Sequence, residues 1–215
     1  MKYKLIIFDI DGTITTHVSS WQFIHEELGI WDETAKHYQD EFFAGKISYR
    51  RFCELDAAHW KGMREKDMRA IFKSVPYTKN IVASIKKLKA MGFKLAAVST
   101  GLQFLADRVT KDLGFDYAVS NRLLSKNGIL TGKVKINIAH GAKGDVLNGI
   151  LKRFRVKARE IISIGDTAGD IPLAKLSGYS IAFNSSSKLL SKMVNYNCAS
   201  HDFDHVFKKI VSTNT

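Results

Sequence analysis

Cysteine is scarce. Cys53 and Cys198 are the only two in 215 residues, with no Cys-x-x-Cys pair and no His/Cys cluster at zinc spacing. Neither a disulfide framework nor a structural zinc is therefore indicated, and both thiols are expected to be small apolar core fillers. Long apolar runs are also missing. The stretch Leu5-Ile6-Ile7-Phe8 is far too short to span a membrane and lacks a signal peptide's cleavage pattern, so it reads as a buried strand of a cytoplasmic protein. Acidic residues are few, 21 against 33 basic ones, leaving a formal charge of +12 that favours anionic partners. Even so, no run of five basic residues occurs, unlike a basic arm or a base-reading helix. The expectation is a solvated basic surface that draws in small phosphorylated compounds, with no nucleic-acid partner and no membrane; a homodimer is compatible with it. Repeats and low-complexity segments are absent as well.

What is present suffices for one substantial core and a small second domain, since 45% of the chain is hydrophobic. Short apolar runs at 4–8, 94–99, 160–165 and 179–183 alternate with helical patterns at 80–91, 102–113, 143–154 and 170–176. That alternation predicts an α/β fold, a Rossmann-like three-layer core with a parallel sheet covered on both faces. Residues 122–135, broken by Asn127-Gly128, predict a β-hairpin. From 16 to 78 the alternation stops, and four helical patterns follow with no strand-like run. Ser19 with Gln22 forms a candidate capping box, Asp32 and Ser48 are candidate N-caps of the next two helices, and Gly29, Gly45 and Gly62 sit where helices would end. The expected domains are a catalytic core formed by 1–15 and 79–215, and an α-helical cap formed by 16–78.

Four signals carry chemistry. Phe8-Asp9-Ile10-Asp11-Gly12-Thr13 ends a buried strand in two acids, and ligand crevices of open α/β sheets lie outside the carboxyl ends of strands. An acidic turn is the plain alternative. A calcium loop starting at Asp9 would need glutamate where Ser20 stands. Ile164-Gly165-Asp166-Thr167-Ala168-Gly169-Asp170 ends a second strand the same way. Four carboxylates near one point are costly without a cation, and hard oxygen ligands in that number suit Mg²⁺. Ser99-Thr100-Gly101 opens a helix as an anion site would, although it is also an ordinary helix cap. Lys143, after Gly141-Ala142, opens another helix against the dipole, mildly unfavourable unless it has another task, although a surface lysine is the plain reading of the residue taken alone.

In this order, the four motifs resemble the haloacid dehalogenase-like superfamily, most closely its phosphoserine phosphatase-like branch with a helical cap after the first motif. Gly114-Phe115-Asp116-Tyr117-Ala118, Asn121-Arg122-Leu123, and Asn127-Gly128 before Leu130-Thr131-Gly132 are similar too. The resemblance implies a Mg²⁺-dependent phosphomonoesterase acting on a small phosphorylated substrate. Asp9 would be the nucleophile and Asp11 the general acid and base. Asp9, the Asp11 carbonyl and Asp166 would hold the metal, with Asp170 bracing the shell or Lys143. Ser99, Thr100 and Lys143 would bind phosphate.

Two features of that branch are missing. Counting from Asp11, Val18 occupies the position of the acid that binds the substrate ammonium; counting from Gly45-Lys46, Glu54 occupies that of the arginine that binds its carboxylate. Arg51 lies about one turn from Glu54, and Trp21 belongs to the first cap helix. Thr100 stands where glycine is frequent and Gly169 where asparagine is frequent. The substrate is left open on these grounds, with phosphoserine hydrolysis and transfer to an acceptor alcohol as alternatives and a non-enzymatic nucleic-acid binder as a reading from another class.

Overall fold

A computed structural model describes residues 2–31 and 33–214. The N-cap expected at Asp32 lies outside the described residues. A seven-stranded sheet runs in the order β4-β3-β2-β1-β5-β6-β7, with β1 (Leu5–Phe8), β2 (Lys94–Leu102), β3 (Tyr117–Lys126), β4 (Ile129–Lys135), β5 (Ile161–Gly165), β6 (Tyr179–Phe183) and β7 (Tyr196–Cys198). All neighbouring pairs are parallel except the β3–β4 hairpin. Its turn is Asn127-Gly128, both at positive φ, as a two-residue hairpin of right-handed twist requires.

The fully apolar character of β1 follows from its place at the centre. Ile6 and Phe8 join the large hydrophobic cluster on one face, together with Leu95, Ala97, Ile162 and Ile164. Leu5 and Ile7 point the other way, joining Ala96, Val98 and Ile161 under Leu147 and Ile150. With both faces covered, no polar residue can alternate into the strand. The helices supplying that cover include α5 (Ile81–Ala90), α6 (Gln103–Leu113), α7 (Leu147–Phe154) and α8 (Ile171–Leu176).

Between β1 and α5 the chain forms α1 (Ser20–Glu27), α2 (Glu33–Phe43), α3 (Tyr49–His59) and α4 (Glu65–Ile71). An antiparallel bridge between Thr15 and Tyr77 joins the two ends of this insertion. Ser19 and Ser48 cap α1 and α3 as expected, accepting from the amides of Gln22 and Arg51. The Gln22 side chain bonds Glu26 instead of completing a capping box. Cys53 and Cys198 are both buried in the large cluster.

The elements of the core also depart from expectation. The helix predicted from 143 begins as a 3₁₀ turn over Lys143–Val146, and α7 starts only at Leu147. Past β6, the short helix α9 (Lys188–Met193), β7 and α10 (Asp204–Asn214) were not anticipated. α9 and β7 span only six and three residues, too short for a periodic pattern. α10 buries Val206 and Ile210, a signal at helical spacing that could have been found.

Candidate active site

Register assembles the site. Phe8 pairs with Ala97 on one side and Ile164 on the other, so Asp9, Ser99 and Asp166 all fall within two residues of the same level at the carboxyl edge. β1 is also where the strand order reverses, with β2 on one side and β5 on the other. Crevices form at such switch points.

Lys143 lies between the two acidic motifs. Its Nζ is 2.7 Å from Asp9 Oδ2 and 2.6 Å from Asp170 Oδ1, and all three side chains are buried. The second oxygen of Asp170 accepts from the amides of Asp166 and Thr167 and from Thr167 Oγ1. Asp170 is therefore fixed at both ends. Asp166 Oδ1 accepts from Thr13 Oγ1 at 3.0 Å, and Asp9 Oδ1 from the Ile10 amide at 2.7 Å. Asp11 Oδ2 accepts from Ser20 Oγ and Ser99 Oγ, while its Oδ1 has no hydrogen-bond partner.

Glycine is required where these side chains crowd the backbone. A Cβ at Gly12 would collide with the Asp166 carboxylate, and one at Gly101 with Asp11 Oδ2 and Ser20 Oγ. Gly12 also takes φ +74°, in the left-handed region that other residues rarely adopt.

Burial dominates the electrostatics. It raises Asp9 well above the ordinary carboxylate range; Asp170 and Asp166 add to the rise, and Lys143 opposes it. Asp166 is pushed up to about 7, by burial first and then by Asp170. Burial also raises Asp11, against the hydrogen bonds from Ser20 and Ser99. For Lys143 burial works against the ammonium, yet the carboxylates of Asp170 and Asp9 outweigh it and hold the side chain protonated. Carboxylate oxygens of Asp9, Asp166 and Asp170 lie within 4.8 Å of one another. One lysine among so many buried acids leaves negative charge in excess.

A cleft of about 530 Å³ opens over Asp9, Asp11, Ser99, Thr100 and Gly169, with Val18 and Trp21 also in its wall. Arg51 and Glu54, expected on that wall, are instead exposed and do not line it. The reason is helical phase. On α3 it is Tyr49, Phe52 and Asp56 that face the cleft, and positions two residues apart lie roughly 200° apart around a helix. Sequence reasoning missed Asp56, Ser20, Tyr49 and Asn121. Of these only Ser20, directly after an N-cap serine and close to the first acidic motif, carried a local signal.

Fold and site together define an α/β enzyme with a carboxylate centre at the strand ends, set under a helical insertion. A family model for haloacid dehalogenase-like hydrolases matches residues 6–175, and the chain belongs to that family, in its phosphoserine phosphatase-like branch. It is 32% identical over 183 residues to a phosphoserine phosphatase of Methanocaldococcus jannaschii, covering 85% of this chain and 86% of that one. A phosphoserine phosphatase of Lactococcus lactis subsp. lactis is 28% identical, with 83% and 82% covered. A solved phospho-aspartyl intermediate analogue of phosphoserine phosphatase superposes with a TM-score of 0.82 at 29% identity, covering 97% of this chain and 99% of that one. A substrate-bound phosphoserine phosphatase complex superposes equally well, at 0.82 and 28%, with the same coverage.

Proposed function

We propose that this phosphatase, a phosphoric monoester hydrolase, cleaves a small phosphorylated metabolite through an aspartyl-phosphate formed on Asp9, with residues 16–78 acting as a cap over the site. The observation that carries the reading is the pairing of Asp9, which lines an open cleft, with the Lys143 ammonium buried behind it, beside an acid with a free oxygen, Asp11.

The donor set fits Mg²⁺. Three buried carboxylates lie within 4.8 Å of one another, and hard oxygen ligands are what this ion takes. Asp9, Asp166 and the Asp11 carbonyl would hold it; Asp170, bonded through both oxygens, suits a bracing role. When bound, the ion neutralises charge between the carboxylates and the phosphoryl oxygens.

Asp9 attacks phosphorus, and the phosphorus–oxygen bond to the leaving alcohol breaks. Asp11, whose raised pKa favours the protonated form, gives its proton to the departing alkoxide. It then takes a proton from water, which attacks phosphorus and releases the Asp9 carboxylate, so one displacement is divided into two. Ser99 and Lys143 hold equatorial phosphate oxygens, with the Thr100 amide as a further donor. Cap helices over the cleft keep bulk water from the acyl phosphate.

Phosphoserine hydrolysis is the second reading, supported by the relatives' activity. Phosphate release from a broad panel of phosphorylated metabolites in Mg²⁺, with alcohols supplied as competing acceptors, tests the proposal and separates hydrolysis from transfer. Beryllium fluoride should inhibit as an acyl-phosphate mimic on Asp9. Lack of turnover of every ester would refute it.

A further inference from the structure

The chain carries a formal charge of +12, yet no lysine or arginine is among the described residues lining the cleft. Its upper wall is aromatic. Trp21, Phe42, Tyr49 and Phe52 form a continuous ring cluster, with Phe42 stacked on Phe52 at 5.3 Å and Trp21 6.3 Å from Phe52. Two exposed apolar side chains, Val18 at 66% and Phe43 at 68%, also belong to the lining. Burial and then Lys143 lower the pKa of His140, which disfavours its charged form.

One acid interrupts this wall. Asp56 lines the cleft and is 1% exposed, and its Oδ1 has no hydrogen-bond partner. His25 Nε2 lies 3.3 Å from this oxygen, an ion-pair distance that acts only when the imidazole is protonated, and neither ring nitrogen of His25 is hydrogen-bonded. A buried carboxylate whose one neighbouring base is an imidazole keeps part of its desolvation cost, and an ammonium placed beside it offsets that cost. Aromatic faces attract organic ammonium groups as well. A carboxylate on the ligand would meet Asp56 with no cation to receive it.

We propose that the cleft takes a phosphomonoester whose alcohol carries an amine on an apolar body and no carboxylate, with Asp56 receiving the ammonium. The inference rests on the phosphatase reading above and adds the class of leaving group. Phosphoserine presents both an ammonium and a carboxylate, and this cleft supplies a partner for the first alone.

The test is kcat/KM in Mg²⁺ for four matched esters: phosphoethanolamine with an ammonium, ethyl phosphate with neither charge, phosphoglycolate with a carboxylate, and phosphoserine with both. Phosphoethanolamine should exceed ethyl phosphate and phosphoserine by at least ~10-fold, and phosphoglycolate by ~100-fold. Phosphotyramine should show a lower KM than phosphoethanolamine, because its ring meets the aromatic wall; a higher one would overturn the apolar-body requirement. Asp56→Asn should bring the ratio of phosphoethanolamine to ethyl phosphate close to one, and Asp56→Arg should turn the preference toward phosphoglycolate. Should both variants fail to fold, as judged by thermal melting, the wild-type ratios decide alone. Phosphoserine matching or exceeding phosphoethanolamine would overturn the inference, as would an unchanged ratio in folded Asp56→Asn. Turnover of ethyl phosphate without any preference removes this inference and leaves the phosphatase reading standing, whereas no turnover of any ester removes both.

Discussion

Tyr49 Oη donates to the main-chain carbonyl of Thr100 at 2.6 Å, joining α3 to the end of β2 that carries Ser99. The same carbonyl also accepts from Trp21 Nε1 at 3.1 Å and Asn121 Nδ2 at 2.9 Å. Two helices of the insertion and one core strand thus meet on a single oxygen. The peptide that bears it ends in the Gly101 amide, which donates to Ser99 Oγ at 2.9 Å, and Ser99 in turn reaches Asp11. Placement of α1 and α3 is therefore transmitted to the Ser99 hydroxyl.

Tyr49→Phe removes one of three donors without opening a cavity. Tyr49 Oη also accepts from Asn121 Nδ2, so two hydrogen bonds are lost and a stability loss of about 1–3 kcal/mol is expected, read by urea denaturation. Trp21→Phe, made in addition, should lower kcat/KM more than the two single changes combined, because the carbonyl is then left with Asn121 alone. Additive effects would show that the shared oxygen does not couple the two side chains.

Asp9→Asn should leave the fold intact and lower kcat by at least ~10³, the scale on which loss of an essential catalytic group is felt. Chelation of divalent metal should abolish wild-type turnover and added Mg²⁺ should restore it, with phosphate release as the assay. Activity that survives either treatment would rule out the assigned chemistry.

The two acid pairs were legible in the sequence because parallel strands bury both faces, so an Asp ending such a run has only the crevice to point into. Ser99 was legible for the same reason. Lys143 stood out only by its unfavourable place at a helix start, and its pairing with Asp9 depends on a contact across more than 130 residues of chain. The specificity wall was misread at α3. Counting from Gly45-Lys46 pointed to Glu54, whereas the phase of the helix turns Asp56 inward. In the run Glu54-Leu55-Asp56 nothing local distinguishes the acid that is buried from the one that is solvated. The part played by Asn121, a residue of one of the similar stretches, was hidden for a related reason: its bonds to Tyr49, Thr100 and Ile138 exist only once three separate elements meet.

Cys53 should be unreactive in the native protein. It is fully buried, and its thiol is pushed up to about 12, by burial first, with Tyr49 opposing and Asp56 adding to the rise. Only the thiolate reacts with alkylating agents, so at pH 8 its labelling by iodoacetamide should proceed only through opening of α3. Mass spectrometry should find Cys53 unmodified under native conditions and labelled in denaturant. Rapid native labelling would mean that α3 opens readily.

At the other end of the core, Asp202 joins α5 to α10. It accepts from Asn80 Nδ2 through both oxygens and from the Asp204 amide, and it pairs with Lys79 at 3.1 Å. These partners hold its carboxyl down to about 2, the Asp204 amide contributing most and Asn80 next. A folded-state pKa below the unfolded value gives stability that is present above the unfolded value and lost as pH falls through the folded one. The difference in Tm between wild type and Asp202→Ala should accordingly be largest above about pH 5 and shrink toward pH 2. A difference constant over that range would mean that the charge of Asp202 is immaterial.

Lys143 gives the sharpest test of how site and fold are linked. Its ammonium is the only cation within 4 Å of Asp9 and Asp170 among the described residues, and all three groups are removed from water. Removing one member of such a buried cluster leaves uncompensated charge, which typically costs about 3–5 kcal/mol. Lys143→Met, measured with a chelator present so that folding alone is read, should be destabilised on that scale. Adding Asp170→Asn removes one of the stranded carboxylates and should recover part of the stability, although the Asn side chain cannot accept as strongly from the amides of Asp166 and Thr167. Activity should not recover with it. Neither variant restores a positive charge beside Asp9, where the transferring phosphoryl group needs one. The decisive comparison is therefore between urea denaturation and kcat in the single and double variants. If the double variant regained turnover along with stability, Lys143 would be acting on the fold alone, and its assignment to the phosphate would fail.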